Sequence, residues 1–192
     1  LQNISEIASG GEISRVMLSL KAIINNYCNL PTIIFDEIDT GVSGKIADKL
    51  DLVKYKILCP TYNENIGLGV IGTLKNPMHS EEFIHFVQKV FNSSIRYIEP
   101  PTEQITTVAI CGGAGAEFIE QAIAQKADIF ITADMKYHEM QAAVERIGLI
   151  DMDHWTSEQF TREIFNELLQ PHIQTHIAEN DKTPIKWLIS KE

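Results

Sequence analysis

The stretch VAICGGAGAEFIEQAIAQKADIFITADMKYHEMQAAVERIGLIDMDHWTSEQF, residues 108–160, decides the fold. Short apolar runs alternate in it with helical periods. TTVAICG (106–112) reads as a buried strand, GGAGAE (112–117) as a tight turn and GAEFIEQAIAQK as a helix. DIFITAD is a strand, MKYHEMQAAVERI a helix, GLIDMD a strand and TSEQFTREIFNELLQ a helix. Continuous apolar strands separated by helices imply an α/β fold whose mixed, largely parallel sheet is covered by helices on both faces.

Working outward, SEEFIHFVQKVFN (80–92) is an amphipathic helix with Ser80 as its expected cap and a buried face of Phe83, Val87, Val90 and Phe91. LDLVKYKILCP (51–60) and the glycine-rich IGLGVIG (66–72) read as strands, and PIKWLI as a closing strand. Upstream the character differs. ISRVMLSLKAIIN (13–25) has helical spacing, TIIFDEID reads as a buried strand with an acidic tip, and residues 44–50 begin another helix. The expected division is 1–51 and 52–192. The chain opens on Leu1 and runs directly into a motif, which reads as a fragment cut upstream.

Composition narrows the function. The net charge of −10 comes without a basic stripe, so nucleic acid is not an expected partner. Cys28, Cys59 and Cys111 form no CxxC pair, which fits a reducing cytoplasm better than a disulfide framework. No apolar run approaches the roughly 20 residues of a membrane span.

Two constellations carry chemistry. The first pairs ASGGEISR (8–15) with IIFDEID (33–39). A serine and backbone N–H groups at a helix start suit a phosphate oxygen. Paired acids at a strand's carboxyl end suit Mg²⁺ and an attacking water. Residues 1 to about 50 resemble the signature and Walker B segments of the RecN-type bacterial DNA-repair ABC ATPases. The resemblance implies that Ser9, Gly10, Gly11 and Glu12 form the signature, with the serine and glycines against a γ-phosphate, that Asp36 serves Mg²⁺ and that Glu37 is the catalytic base. ATP and Mg²⁺ are implied for an intact parent only. The sequence holds no GxxxxGK[ST] phosphate loop, and TGVSGKI has Asp39 where the first glycine is needed. No ATPase activity is expected.

The second constellation is DMDHWTSEQF (151–160). His154 follows a strand and Glu158 lies in the first turn of the next helix, with Thr156 or Ser157 as its cap. A histidine and glutamate four apart at such a corner can converge on Zn²⁺, Mn²⁺ or Fe²⁺, with Asp151 and Asp153 as acceptors for the imidazole N–H. By spacing alone, a surface histidine and a glutamate complementing the helix dipole fit the same residues. GGAG (112–115) suits either a phosphate or a tight strand-to-helix turn. His138 is i+4 from Asp134, compatible with a local pair or a catalytic role; His79, His85, His172 and His176 show no ligand spacing.

ENIGLGVIG, the 108–139 stretch and LIDMDHWTSEQF, in this order, resemble the C-terminal part of the NGG-interacting-factor-3-like proteins, also labelled GTP cyclohydrolase I type 2 homologues. The resemblance runs from about residue 53 to 192. It implies a metal-dependent hydrolase with a dinuclear centre, in which His154 and Glu158 are ligands and Asp134 and His138 line the cleft. Trp155 stands where the family has tyrosine, and Asp153 and Ala133 where it has glycine. It further implies a His-His pair and an aspartate from a preceding half, and a homo-oligomer, typically a hexameric ring. Two donors leave a divalent ion mostly hydrated, so weak or no metal binding, and no activity, is expected of this chain. The alternatives are a RecN-type fragment and a hybrid frame with neither activity.

Overall fold

The structure, a computed structural model, describes residues 41–63, 66–171, 174–179 and 182–186. The chain divides into two compact units at Asp39 and Thr40. Ser9, Gly10, Gly11, Glu12, Asp36, Glu37 and the TIIFDEID strand lie outside the described residues, as does most of PIKWLI; its first residues, 184–186, are not in a strand.

The second unit starts upstream of the boundary expected at residue 51, because helix α1 (Val42–Lys49) belongs to its core. Val42, Ile46, Ala47 and Leu50 are buried. Asp51, at a positive φ of 56°, turns the chain into β1 (Leu52–Asn63). There follow β2 (Ile66–His79), α2 (Ser80–Phe91), β3 (Ile95–Ile98), β4 (Gln104–Ala114), a 3₁₀ turn (Ala116–Phe118), α3 (Ile119–Ala124), β5 (Ile129–Ala133), α4 (Tyr137–Ala143), β6 (Gly148–Met152), α5 (His154–Glu158) and α6 (Thr161–Leu169).

The six strands form one mixed sheet in the order β1-β2-β4-β5-β6-β3. β4, β5 and β6 are parallel, joined by α3 and α4; β1, β2 and β3 are antiparallel to their neighbours. The parallel strands bury both faces. Ile129 and Ile131 of β5 and Ile150 of β6 join α1 and α2 in one core cluster, while Phe130 and Leu149 join α3 and α4 in another. Alternation along a strand sends successive side chains to opposite faces, and each face is sealed by its own helices. The long edge strand β1 carries Lys54, Lys56 and Pro60, residues that blunt edge-to-edge pairing.

Three local expectations are corrected. His79, not Ser80, holds the cap position of α2, with no side-chain cap; Ser80 is the first helical residue and its N–H bonds the Glu103 carbonyl at 2.9 Å. Val90 is only half-buried on the face that buries Phe83, Val87 and Phe91. The last predicted helix is two, α5 and α6. Its start is not capped by Thr156 or Ser157: Asp153 is the cap, accepting the Thr156 N–H at 3.2 Å. An extended Asp153 whose carboxylate satisfies an orphan donor starts the helix one residue later, at His154.

Candidate functional site

Parallel neighbours β5 and β6 end together, and the residues just past their carboxyl ends converge, where open α/β sheets place their ligand sites. β5 is followed by Asp134, β6 by Asp153 and His154. The Asp134 carboxylate lies 2.6 Å from His154 Nδ1, and the Glu158 carboxylate 3.3 Å from Nε2. His154 opens α5 and Glu158 closes it four residues on, so both project from one face. His154, Glu158 and Asp134 are thus brought together. His138 is not part of this cluster: it is exposed on α4 with its ring edge-on to Tyr137, 5.7 Å between centroids, and Asp134 turns its carboxylate to His154 instead.

The expected imidazole acceptors, Asp151 and Asp153, do other work. Asp153 caps α5. Asp151 is buried and takes the Arg96 guanidinium and the Met135 N–H. A mid-strand aspartate points into the sheet's own packing and must find a cation there, whereas Asp134 stands past its strand and is free to turn toward His154.

The floor of the site is the irregular glycine segment at the end of β4. Gly113 has φ +68°, and a Cβ there would sit 2.6 Å from Glu158 Oε1 and 3.6 Å from His154 Cε1. Its N–H donates to Ser157 Oγ at 2.8 Å and its carbonyl accepts from Thr132 Oγ1 at 3.0 Å. Ser157 donates in turn to the His154 carbonyl, also at 2.8 Å. The tight turn expected at GGAG is corrected: Gly112, Gly113 and Ala114 lie within an irregular end of β4, and Gly113 allows a close approach of the backbone to Glu158. Gly112 packs against Val42 of α1, and its N–H donates to Ser43 Oγ at 3.1 Å.

Burial lowers the His154 pKa, but the Asp134 hydrogen bond and the charges of Glu158, Asp134 and Asp153 outweigh it, so the value stands above the ordinary 6.5. A raised folded-state pKa contributes stability that is fully present below the ordinary value and is lost as pH rises through the raised one. The melting-temperature gap between wild type and Asp134→Asn is therefore expected to be wider at about pH 5 than at about pH 8. His154 is about half exposed, so the difference should stay under about 1 kcal/mol. A gap that widens toward alkaline pH would refute the arrangement.

Does this set fit a divalent ion? Two donors about 2.1 Å from a tetrahedral ion lie about 3.4 Å apart. The 3.3 Å between His154 Nε2 and Glu158 Oε1 matches, and the missing Cβ of Gly113 leaves room beside them. Asp134, on the Nδ1 side, orients the ring as outer carboxylates do for metal-bound histidines. Among the described residues, no group of three His, Cys, Asp or Glu is arranged to hold an ion. The fit is that of a two-donor half-site.

The family model for Duf34/NIF3 (NGG1p interacting factor 3) matches residues 14–184. The chain belongs to this family. The Duf34/NIF3 match spans the boundary expected at residue 51, consistent with α1 being part of the core. Curated relatives include GTP cyclohydrolase 1 type 2 homologs of Staphylococcus epidermidis, 38% identical over 106 residues, and of Staphylococcus aureus, 34% identical over 111. These alignments cover 54% and 57% of this chain but only 29% and 30% of the relatives, so the chain spans about three tenths of the length of these curated relatives. Among solved structures, Staphylococcus aureus protein SA1388 superposes with a TM-score of 0.69 at 22% identity, covering 78% of this chain and 66% of that one. A Bacillus cereus protein related to NIF3 gives 0.56 at 25% identity, covering 67% and 38%. Both carry the mixed α/β sheet of the Duf34/NIF3 fold. Among the described residues, no helix is long and apolar enough to cross a membrane.

Sequence reasoning reaches Gly113 only as part of GGAG and Ser157 only as a possible cap, and it misses Arg96. The signal for Arg96 is Asp151 inside the apolar run LIDM, which needs a buried partner, and Arg96 is the single cation of IRYI.

Proposed function

We propose that this chain supplies one half of a divalent-metal cleft, with His154 Nε2 and the Glu158 carboxylate as its donors and Asp134 fixing the imidazole. The observation that carries the reading is the pair of carboxylates divided between the two ring nitrogens, one at 2.6 Å from Nδ1 and one at 3.3 Å from Nε2. Nδ1–H donating to Asp134 leaves the Nε2 lone pair for a metal. A bound divalent ion would supply Lewis-acid activation of a water or a polar substrate atom. The family resemblance carried by the sequence implies a metal-dependent hydrolase-like role for the complete site, in a homo-oligomer. The remaining donors have to come from outside the described residues, so a single chain binds weakly and is inactive.

The ABC-like stretch has no role in this reading. A triphosphate site depends on its phosphate cradle, and the sequence has no GxxxxGK[ST] loop to build one.

The test is calorimetric titration of the purified chain with Zn²⁺ and with Mn²⁺ near neutral pH. The expected result is weak binding of one ion, reduced at least 10-fold in His154→Ala and in Glu158→Ala. Tight binding of two ions per chain would contradict the half-site. Unchanged binding in His154→Ala would contradict the site altogether.

A further inference from the structure

We propose that Arg96 is a positioning residue for His154, acting through buried Asp151 and the turn that carries Asp134. The inference rests on the reading of His154 as the metal-facing residue, but its structural content can be tested without metal.

Arg96 stands on edge strand β3, directly opposite Asp151 in the antiparallel register with β6. Its Nε donates to Asp151 Oδ2 at 2.8 Å, and its Nη2 donates both to that oxygen and to the Met135 carbonyl, the latter at 3.0 Å. The other carboxylate oxygen of Asp151 accepts the Met135 N–H at 2.9 Å. Arg96 and Asp151 together satisfy both backbone groups of Met135, the residue after Asp134. The Met135 side chain is buried in the core cluster under α3 and α4, a third point of fixation.

This clamp has something to hold. Asp134 has φ +57°, in the left-handed region. A non-glycine residue stays there only when its surroundings over-determine it. With Met135 fixed on three sides, the Asp134 carboxylate is delivered to His154 Nδ1. Were the turn released, Asp134 would be free to relax toward negative φ and swing its carboxylate away.

A bare structural ion pair is the competing explanation. Such pairs are weak evidence of a stability role, since apolar replacements often serve as well. The Arg96 side chain is 55% exposed, while the carboxylate it serves is 4% exposed. Its extra hydrogen bond goes to the backbone one residue from Asp134, and this places the pair in the service of the site.

The test reads the His154 ring by nitrogen-detected NMR on the metal-free full chain. The Nδ1–H proton bonded to Asp134 should give a downfield signal that is lost in Asp134→Asn. The same loss is expected in Arg96→Met, with core Ile131 and Ile150 methyl signals unchanged. Arg146→Met, which removes the exposed partner of Glu120, should leave it intact. If Arg96→Met does not fold, Arg96→Lys is read in the same way, since an ammonium lacks the fork that reaches Asp151 and Met135 together. An unchanged His154 signal in a folded Arg96 variant overturns the proposal. So does failure of both variants to fold, which would assign Arg96 to the fold alone. Zn²⁺ is then added to wild type: no response at His154 Nε2 sinks the metal reading while leaving the clamp standing.

Discussion

Ile46→Ala is expected to destabilise the Thr40–Glu192 unit by about 3 kcal/mol, read by urea unfolding of the full chain. The expected division at residue 51 puts residue 46 in an appendage, and a foreign appendage would tolerate the change at near-zero cost. The structure gives the opposite expectation. Ile46 is 1% exposed and packs in the cluster that includes Val108, Ile110 and Ile131 of the central strands. Truncating a buried isoleucine removes its transfer energy and leaves a cavity in a close-packed interior. Leu50→Ala, at 0% exposure, should cost a similar amount. Lys45→Ala is the control. It removes only a surface pair with Glu167 and should leave the urea midpoint close to that of wild type. Equal, small effects from all three would return α1 to the status of an appendage.

The parallel centre of the sheet was legible because β4, β5 and β6 are covered on both faces. Burial on both sides demands unbroken apolar runs such as DIFITA and GLIDM, and the helices between them keep a helical period. β3 was not legible: IRYI is four residues long, half exposed, and depends on β6 for its pairing. α1 was seen as a helix, but its place in the core was not, since sequence resemblance pointed one way and packing another. In the site, His154 and Glu158 stand out through the family resemblance; their spacing at a strand-to-helix corner fits a surface pair as well. The role of Asp134 was not legible, because it depends on two parallel strands ending level. The cap of α5 was misread for a local reason: Asp153 was taken as a hydrogen-bond partner of the imidazole, while the four orphan N–H groups of a helix start compete for the same carboxylate.

Gly113→Val is expected to cost about 3 kcal/mol in stability and to abolish the weak metal binding proposed for His154 and Glu158. Two separate effects combine. A left-handed residue with a side chain costs about 1–2 kcal/mol, and β-branching makes that φ still less accessible. The backbone cannot relax out of it cheaply, because buried Ser157 and Thr132 hydroxyls hold the Gly113 N–H and carbonyl. The second effect is steric. The first atom added would lie 2.6 Å from Glu158 Oε1, and a carboxylate at the end of a flexible side chain can swing aside at little energetic cost. That small movement parts Oε1 from Nε2, so function suffers more than the clash energy suggests. Gly113→Ala separates the two: about 1–2 kcal/mol of stability from the backbone, with Glu158 still displaced. Gly148→Ala supplies the control, since its added carbon would crowd Pro100 at the opposite end of β6. That variant should lose stability and keep its zinc response. If Gly113→Ala binds zinc as wild type does, the end of β4 is not the floor of a metal site, and the glycine is there for the backbone alone.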